Sequence, residues 1–284
     1  PKVPNIHMVG YVDSNPDATQ RVQAELGVEE KRCFTSLDEA AQGVEADLAI
    51  CTLRTEAHYP VVKRCLELGF NVLVEKPFTT TVAQAKELVA LAHERGRVLM
   101  VSQNYRFQAA PIAAAELIGA QKFGPVNLVS IDFRRHAPSQ GYRYWDMPDP
   151  LLADMSIHHF DLMRMVLGDE PRRVSCRTWN PAASPFGHHP IGVATLEFEK
   201  GTIVSYRGSW MSSGPVTPWA GEWTMDCSEG EIIWSSRDHF MGKSGPDRLS
   251  LRKRDKEAVP FALEALEFTD RTGTLGAIAK VIET

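Results

Sequence analysis

Two kinds of hydrophobic pattern alternate over the first hundred positions. Short apolar runs at 6–12, 47–52, 71–74 and 98–102 predict strands, and the runs are continuous enough to mark strands buried on both faces. Between them lie helical stripes. Asn15-Pro16 supplies a cap and a first-turn proline for a helix whose apolar positions Val22 and Leu26 stop at Gly27. Ser36-Leu37-Asp38-Glu39 reads as a capping box for a short second helix. A third helix is predicted over 58–68, with Val61, Val62, Cys65 and Leu66 on one face and Gly69 past its end. A fourth is predicted over 81–95, ended by Gly96. Parallel strands need long connections, so this alternation predicts a parallel sheet with crossover helices.

Beyond about residue 124 the pattern changes. Residues 126–135 alternate like a half-exposed strand. The pairs 191–198 with 202–210, and 223–227 with 231–234, flank short Gly-containing turns, which predicts hairpins and an antiparallel sheet. A helical stripe over 151–167 interrupts them, and 275–282 has a helical pattern. All six tryptophans fall in this half. Their aromatic faces, if exposed, would stack sugars or bury a subunit interface. The expected organisation is an α/β domain over 1–103 and an α+β domain with an open, mainly antiparallel sheet over 104–284.

Composition narrows the function. With 31 Lys and Arg against 36 Asp and Glu, the 284-residue chain carries a net charge of −5, so it has no global basic field for nucleic acid. Hydrophobic residues at 43% and charged residues at 24% are ordinary globular usage, and no apolar run reaches the length of a membrane span. The five cysteines are scattered without a C-x-x-C pair, and residues 1–4 carry no apolar leader. Reduced thiols in a cytoplasmic protein are expected.

Asp13 ends the first predicted strand. At that position in a nucleotide-binding α/β domain a carboxylate accepts hydrogen bonds from the adenosine ribose, about 20 residues after a glycine-rich phosphate loop. No G-x-G-x-x-G precedes Asp13, and Gly10 lies within the strand. The expectation is that a first strand and glycine-rich turn lie upstream of Pro1, and that the pattern at 275–282 is likewise cut short. Asp13 would repel a ribose 2′-phosphate, and Ser14 and Asn15 supply no cation to offset it, so NAD is expected over NADP. Its other reading is a cap on the following turn.

Val72-Leu73-Val74-Glu75-Lys76-Pro77 leaves a strand and enters a helix. About 80 residues later, Asp154-Met155-Ser156-Ile157-His158-His159-Phe160-Asp161 opens another helix. With the two-part organisation, these motifs resemble the Gfo/Idh/MocA oxidoreductases over nearly the whole chain. The resemblance implies a Rossmann-type first domain, with Lys76 and Pro77 at the nicotinamide end of a cofactor site across a cis peptide bond. It implies Asp154 and His158 as the acid–base pair. Thr52, Leu53, Arg54 and His58 match the C-T-P-x-x-x-H loop bordering the cofactor, with Arg54 and its neighbours departing from the pattern, and Glu75 adjoins them. Asn104-Tyr105-Arg106 is similar to the N-x-R segment beneath the substrate. Where the family has glycines before the catalytic helix, this chain has Pro148-Asp149-Pro150-Leu151-Leu152, which changes the pocket wall. Such proteins often pair through the open sheet, so a homodimer or homotetramer is expected.

The chemistry suits these side chains. Oxidising a secondary alcohol removes a proton from oxygen and a hydride from carbon. A neutral imidazole can take the proton, and a cation can stabilise the developing alkoxide. The adopted assignment is His158 as base, Asp154 one turn away fixing its tautomer or relaying its proton, and Lys76 as electrostatic partner. A lysine of lowered pKa is the alternative base. Asp161 is expected to cap or to pair with Arg164, and His159 to be a bystander. Lys76, Tyr105, Arg106, His136, Trp145, Asp154 and His158 are the expected substrate contacts, with Arg143 and Tyr144 in the same loop. The expected function is hydride transfer between a nicotinamide and a polyol, sugar or sugar derivative. The alternatives are a nonenzymatic dinucleotide sensor on the same fold, and metal-dependent hydrolysis by Asp154, His158, His159 and Asp161. The last is disfavoured because adjacent helical histidines diverge.

Overall fold

The computed structural model describes residues 3–136, 146–240 and 243–284. The chain divides into two units, 1–102 together with 271–284, and 103–270. The last helix therefore groups with the first unit, whereas sequence order assigned it to the second.

In the first unit, β1 (Tyr11–Val12) leads into α1 (Pro16–Leu26), β2 (Cys33–Phe34), α2 (Leu37–Gly43), β3 (Leu48–Cys51), α3 (Thr55–Glu67), β4 (Asn71–Val74), α4 (Val82–Glu94) and β5 (Leu99–Val101). All pairings are parallel. The helix signals act as their chemistry requires. Asn15 accepts the Asp17 N–H at 3.0 Å, Pro16 opens α1, and Gly27 closes it at φ 66°. Thr81 caps α4 through the Gln84 N–H at 3.3 Å. Ser36 is the N-cap residue of α2, but its hydroxyl makes no capping bond, so the capping-box expectation fails there. β4 is buried at every position, and its Val72 and Val74 pack with Val62, Cys65 and Leu66 of α3 and Leu88 of α4.

The sheet is in two pieces, β1-β2 and β3-β4-β5. The strand expected over 6–12 shrinks to Tyr11–Val12, because only that stretch finds a partner. Among the described residues, the other edge of β1 and the outer edge of β3 have no strand beside them. Both edges line a cavity of about 660 Å³, to which α7 (Asp270–Glu283) adds Ala279 and Ile282. Met8, Val12 and Leu53 are exposed apolar side chains on its walls.

The second unit holds α5 (Ala109–Gly119), β6 (Val126–Arg134), a π-helical segment (Leu151–Ser156), α6 (Ile157–Leu167) and β7 (Pro171–Trp179). After these come β8 (Ile191–Phe198), β9 (Ile203–Ser209), β10 (Glu222–Cys227), β11 (Gly230–Ser235), the short pair β12 (His239–Phe240) and β13 (Lys243–Ser244), β14 (Arg248–Lys253) and β15 (Val259–Pro260). One eight-stranded sheet runs β15-β14-β11-β10-β6-β9-β8-β7 and is antiparallel except for β6-β9. One face, including Val129, Ile131, Phe133, Val204, Tyr206 and Trp223, packs on α5 and α6. Trp210, Trp223 and Trp234 are 2%, 0% and 1% exposed, and Trp223 stacks on Trp234 at 4.5 Å. The reading of these rings as an exposed aromatic surface is thereby corrected, since they are core. The open face instead carries Ser130, Thr195, Ser205 and charged side chains.

Candidate functional site

Lys76 stands just past the C-terminal end of β4, the edge at which parallel sheets bind ligands. The Lys76–Pro77 bond is cis, as the resemblance implied. The turn is held from behind. The Glu75 N–H donates to the Cys51 carbonyl at 2.9 Å, and the Ser102 N–H to the Val74 carbonyl at 2.8 Å. His58 is wholly buried on α3, with Nδ1 2.9 Å from the Pro77 carbonyl and Nε2 3.0 Å from the Leu53 carbonyl. It thus braces the 52–54 loop against the cis-proline turn, a position that a sequence match could not convey. Thr52, Leu53 and Arg54 are exposed, and Glu75 lies 3.8 Å from Arg271.

Asp13, exposed after β1, is on the wall of the cavity together with Thr52 and Leu53. One carboxylate oxygen accepts the Asn15 N–H at 2.9 Å, so Asp13 does cap its turn. A carboxylate has several acceptor sites, so this bond leaves capacity for a ribose diol. The donors present in this unit suit the ribose and nicotinamide ends of a dinucleotide; the described residues contain no glycine-rich cradle for a pyrophosphate.

In the second unit, Asp154 and His158 are both buried, at 9% and 5% exposure. The helix carrying them is not uniform. Leu151–Ser156 is π-helical and becomes α-helical at Ile157, a correction to the single α-helix expected over 151–167. Such segments concentrate at functional sites. The sheet beneath supplies the room. Gly192 and Gly208 face each other across β8 and β9, and Leu151 packs into the space between. A Cβ on Gly208 would come within 2.6 Å of the Tyr206 hydroxyl and 3.0 Å of Leu151.

His158 lies flat on Tyr105, ring centroids 4.0 Å apart and planes 5° from parallel. Its Nδ1 is 3.1 Å from Gln103 Oε1. An amide oxygen can only accept, so this bond puts a proton on Nδ1, and in the neutral ring the lone pair is then on Nε2. Burial pushes the Tyr105 phenol up to about 12, which keeps it neutral. His159, the next residue and about 100° further round the helix, faces inward. Its Nε2 donates to the Trp219 carbonyl at 2.9 Å, its Nδ1 accepts from the Tyr206 hydroxyl at 3.0 Å, and the Ser156 hydroxyl lies 2.7 Å from Tyr206. Desolvation lowers the His159 pKa to about 4, so it is neutral at physiological pH.

Asp161 holds Arg106 in a bidentate pair at 2.7 and 2.6 Å, while Arg164 pairs with Glu170 at 2.6 Å. The expected Asp161–Arg164 pairing is therefore corrected. The planar Arg106 fork reaches α6 from the turn before α5, and Glu170 follows the helix end to meet Arg164. His136 is exposed beyond β6, bridged through its backbone to Met211. Trp145, Arg143 and Tyr144 lie outside the described residues. Sequence reasoning missed Gln103, Tyr206 and Arg237; the first two meet the helix, and the third meets Tyr105, from distant stretches of chain, which leaves no local signal. Among the described residues, no group of three or more His, Cys, Asp or Glu is arranged to hold a metal ion, and no helix is long and apolar enough to cross a membrane.

Residues 2–103 match the family profile described as an oxidoreductase family with an NAD-binding Rossmann fold, and residues 112–233 match the C-terminal domain profile of the same Gfo/Idh/MocA group. An uncharacterised protein, y4oX, from Sinorhizobium fredii is 28% identical over 82% of this chain and 65% of its own length. Inositol 2-dehydrogenase from Rhizobium meliloti is 28% identical over 59% of this chain and 49% of its own. The chain thus spans about two thirds or less of these curated relatives. Among solved structures, an inositol dehydrogenase homologue from Azotobacter vinelandii, in complex with NADH and myo-inositol, superposes with a TM-score of 0.80 at 17% identity, covering 95% of this chain and 76% of that one.

Proposed function

Because the chain belongs to the Gfo/Idh/MocA oxidoreductases, whose first domain is an NAD-binding Rossmann fold, we propose that it serves NAD-dependent oxidation or reduction at a secondary alcohol carbon of a polyol, sugar or sugar derivative. The observation that carries this reading is His158, buried, stacked on Tyr105 and bonded through Nδ1 to Gln103, which leaves Nε2 as the accepting nitrogen of the neutral ring. The names of the relatives, an inositol dehydrogenase among them, support the substrate class.

In this reading Nε2 of His158 takes the hydroxyl proton, and Asp154 offsets the charge of the imidazolium. The Lys76 ammonium stabilises the alkoxide, and the reducing direction returns the proton from His158. Positioned general-base catalysis contributes about 10²- to 10⁴-fold. Asp13 holds the adenosine ribose and disfavours a 2′-phosphate, the 52–54 loop and Glu75 border the cofactor, and Lys76-Pro77 meets its reactive end. When bound, the nicotinamide supplies the hydride acceptor. Tyr105, Arg106, His136 and Trp145 are the proposed substrate wall, with Arg106 presented by Asp161.

The test is to incubate the complete enzyme with NAD and a panel of polyols and sugars and to follow nicotinamide reduction. Turnover with at least one stereochemical series is expected. Tight NAD binding without reduction of the cofactor by any member would favour a sensor.

The open sheet face supports a homo-oligomer. Its central row, Ser175, Thr195, Ser205, Ser130 and Thr224, is short and hydroxylated, with Arg173 and Arg177 toward the β7 end and Glu222 and Asp226 toward β10. A two-fold axis through the row would bring the basic end of one copy to the acidic end of the other. Sedimentation velocity should give a dimer or tetramer that Ser205→Arg dissociates; a monomeric native chain would contradict this.

A further inference from the structure

His158 is one layer of a three-layer stack. Its imidazole covers one side of Tyr105, and the guanidinium of Arg237 covers the ring with its carbon 4.3 Å from the centroid. Arg237 is placed there against backbone preference. Its φ is 61°, a left-handed conformation that costs an L-residue with a Cβ on the order of 1–2 kcal/mol. Two bonds hold it. The Arg237 N–H donates to Asp247 Oδ1 at 3.2 Å, and its carbonyl accepts the Trp219 N–H at 3.1 Å. Asp247 is itself fixed by the Ser236 hydroxyl at 2.7 Å and, through its other oxygen, by the Ala110 N–H in the first turn of α5 at 3.0 Å. The guanidinium pairs with Asp270, which also takes the Asn104 side-chain amide.

We propose that Arg237 is a positioning residue for His158: acting across Tyr105, it holds the imidazole flat and opposes its protonation, so that Nε2 is available to accept a proton near neutral pH. This rests on the reading of His158 as the base, though the coupling itself is testable without it. The physical reason is that an aromatic ring presents a negative face to each side. With a permanent cation on one face, a second positive charge on the other meets like-charge repulsion across a neutral, water-excluding spacer. Among the described residues, the other charged or titratable groups around the stack are Asp154, Asp161 with its partner Arg106, and neutral His159 on the helix of His158, Tyr105 on the turn packed against it, and the buried Arg135, whose charge couples to Tyr105. Each is unchanged when only Arg237 or Asp270 is altered, so a variant series isolates the stack.

The experiment is NMR titration of the full chain labelled with ¹³C-histidine, His158 being assigned by its loss in His158→Gln. Arg237→Gln should raise the His158 midpoint by about half a pH unit or more, because it removes the cation and leaves Asp270 uncompensated. Arg237→Lys should return most of that shift. Asp270→Asn, tolerated at the left-handed φ of 55°, should move the midpoint the opposite way. A His158 midpoint unmoved in folded Arg237→Gln overturns the proposal. If that variant does not fold, a midpoint unmoved or raised in Asp270→Asn overturns it. In the active enzyme, the acid limb of kcat/KM should follow the NMR midpoint. A moved midpoint with an unmoved limb keeps the coupling and rejects His158 as the base instead.

Discussion

The two units hold the side chains proposed for catalysis still by different means. In the first, Lys76 leaves a fully buried strand on a cis-proline turn, and His58 ties that turn to the 52–54 loop through backbone carbonyls alone. In the second, His158 is fixed by side chains from scattered positions: Tyr105, Gln103 and, across the ring, Arg237. Its neighbour His159 locks the helix to the sheet through Tyr206 and Ser156. The first device is built from local sequence. The second depends on long-range packing over a continuous sheet, so it is the more easily broken by a single substitution far from the chemistry.

The largest expected effects remove the two groups proposed for catalysis. His158→Gln should lower kcat by about 10²- to 10⁴-fold. Lys76→Ala should cost about 10³-fold while leaving NAD affinity largely intact, measured by cofactor titration beside steady-state rates. Loss of affinity with turnover merely slowed would contradict the role of Lys76.

Next comes the buried histidine of the second unit. The folded pKa of His159, about 4, lies below its unfolded value, so between those values the unfolded chain binds more protons. The stability is therefore fully present above about pH 6.5 and drains away as pH falls toward 4, by on the order of 3 kcal/mol. Melting curves across this range should show the loss, and His159→Asn should flatten it. Smaller still, Gly208→Ala should cost about 1–3 kcal/mol by crowding Tyr206 and Leu151. Its kcat should fall further than its NAD affinity, because Leu151 opens the π-helical segment that carries Asp154. The smallest effect concerns the first unit. Asp13→Ser should relax the preference for NAD over NADP by about tenfold, read as a ratio of dissociation constants.

The difference between the units also decides what could be read from the chain. Asn15, Pro16, Gly27, Thr81 and Gly96 act through neighbours within a few residues, and the structure uses them as their chemistry predicts. The cis bond of the Glu75-Lys76-Pro77 turn was legible only through the family resemblance that the motif carries. The strand over 6–12 was not, because a strand exists only where another pairs with it. β7 escaped notice because an edge strand exposed along its length shows no alternation. α5 escaped because alanine on every side erases the periodic contrast. The π-helical start at Leu151–Ser156 packs Leu151 against Gly192 and Gly208, both far along the chain, so nothing local announced it. Arg237, placed by a left-handed backbone pinned to Asp247, had no motif to announce it.

The central claim of the proposed function is that the Lys76 ammonium and the His158 imidazole act on the same alcohol. A double-mutant cycle on kcat with Lys76→Ala, His158→Gln and the double variant tests it most directly. Groups acting on one transition state are strongly non-additive, so the double variant should be little slower than the slower single variant. If the double variant instead shows the full product of the two losses, the groups act independently and the account is wrong.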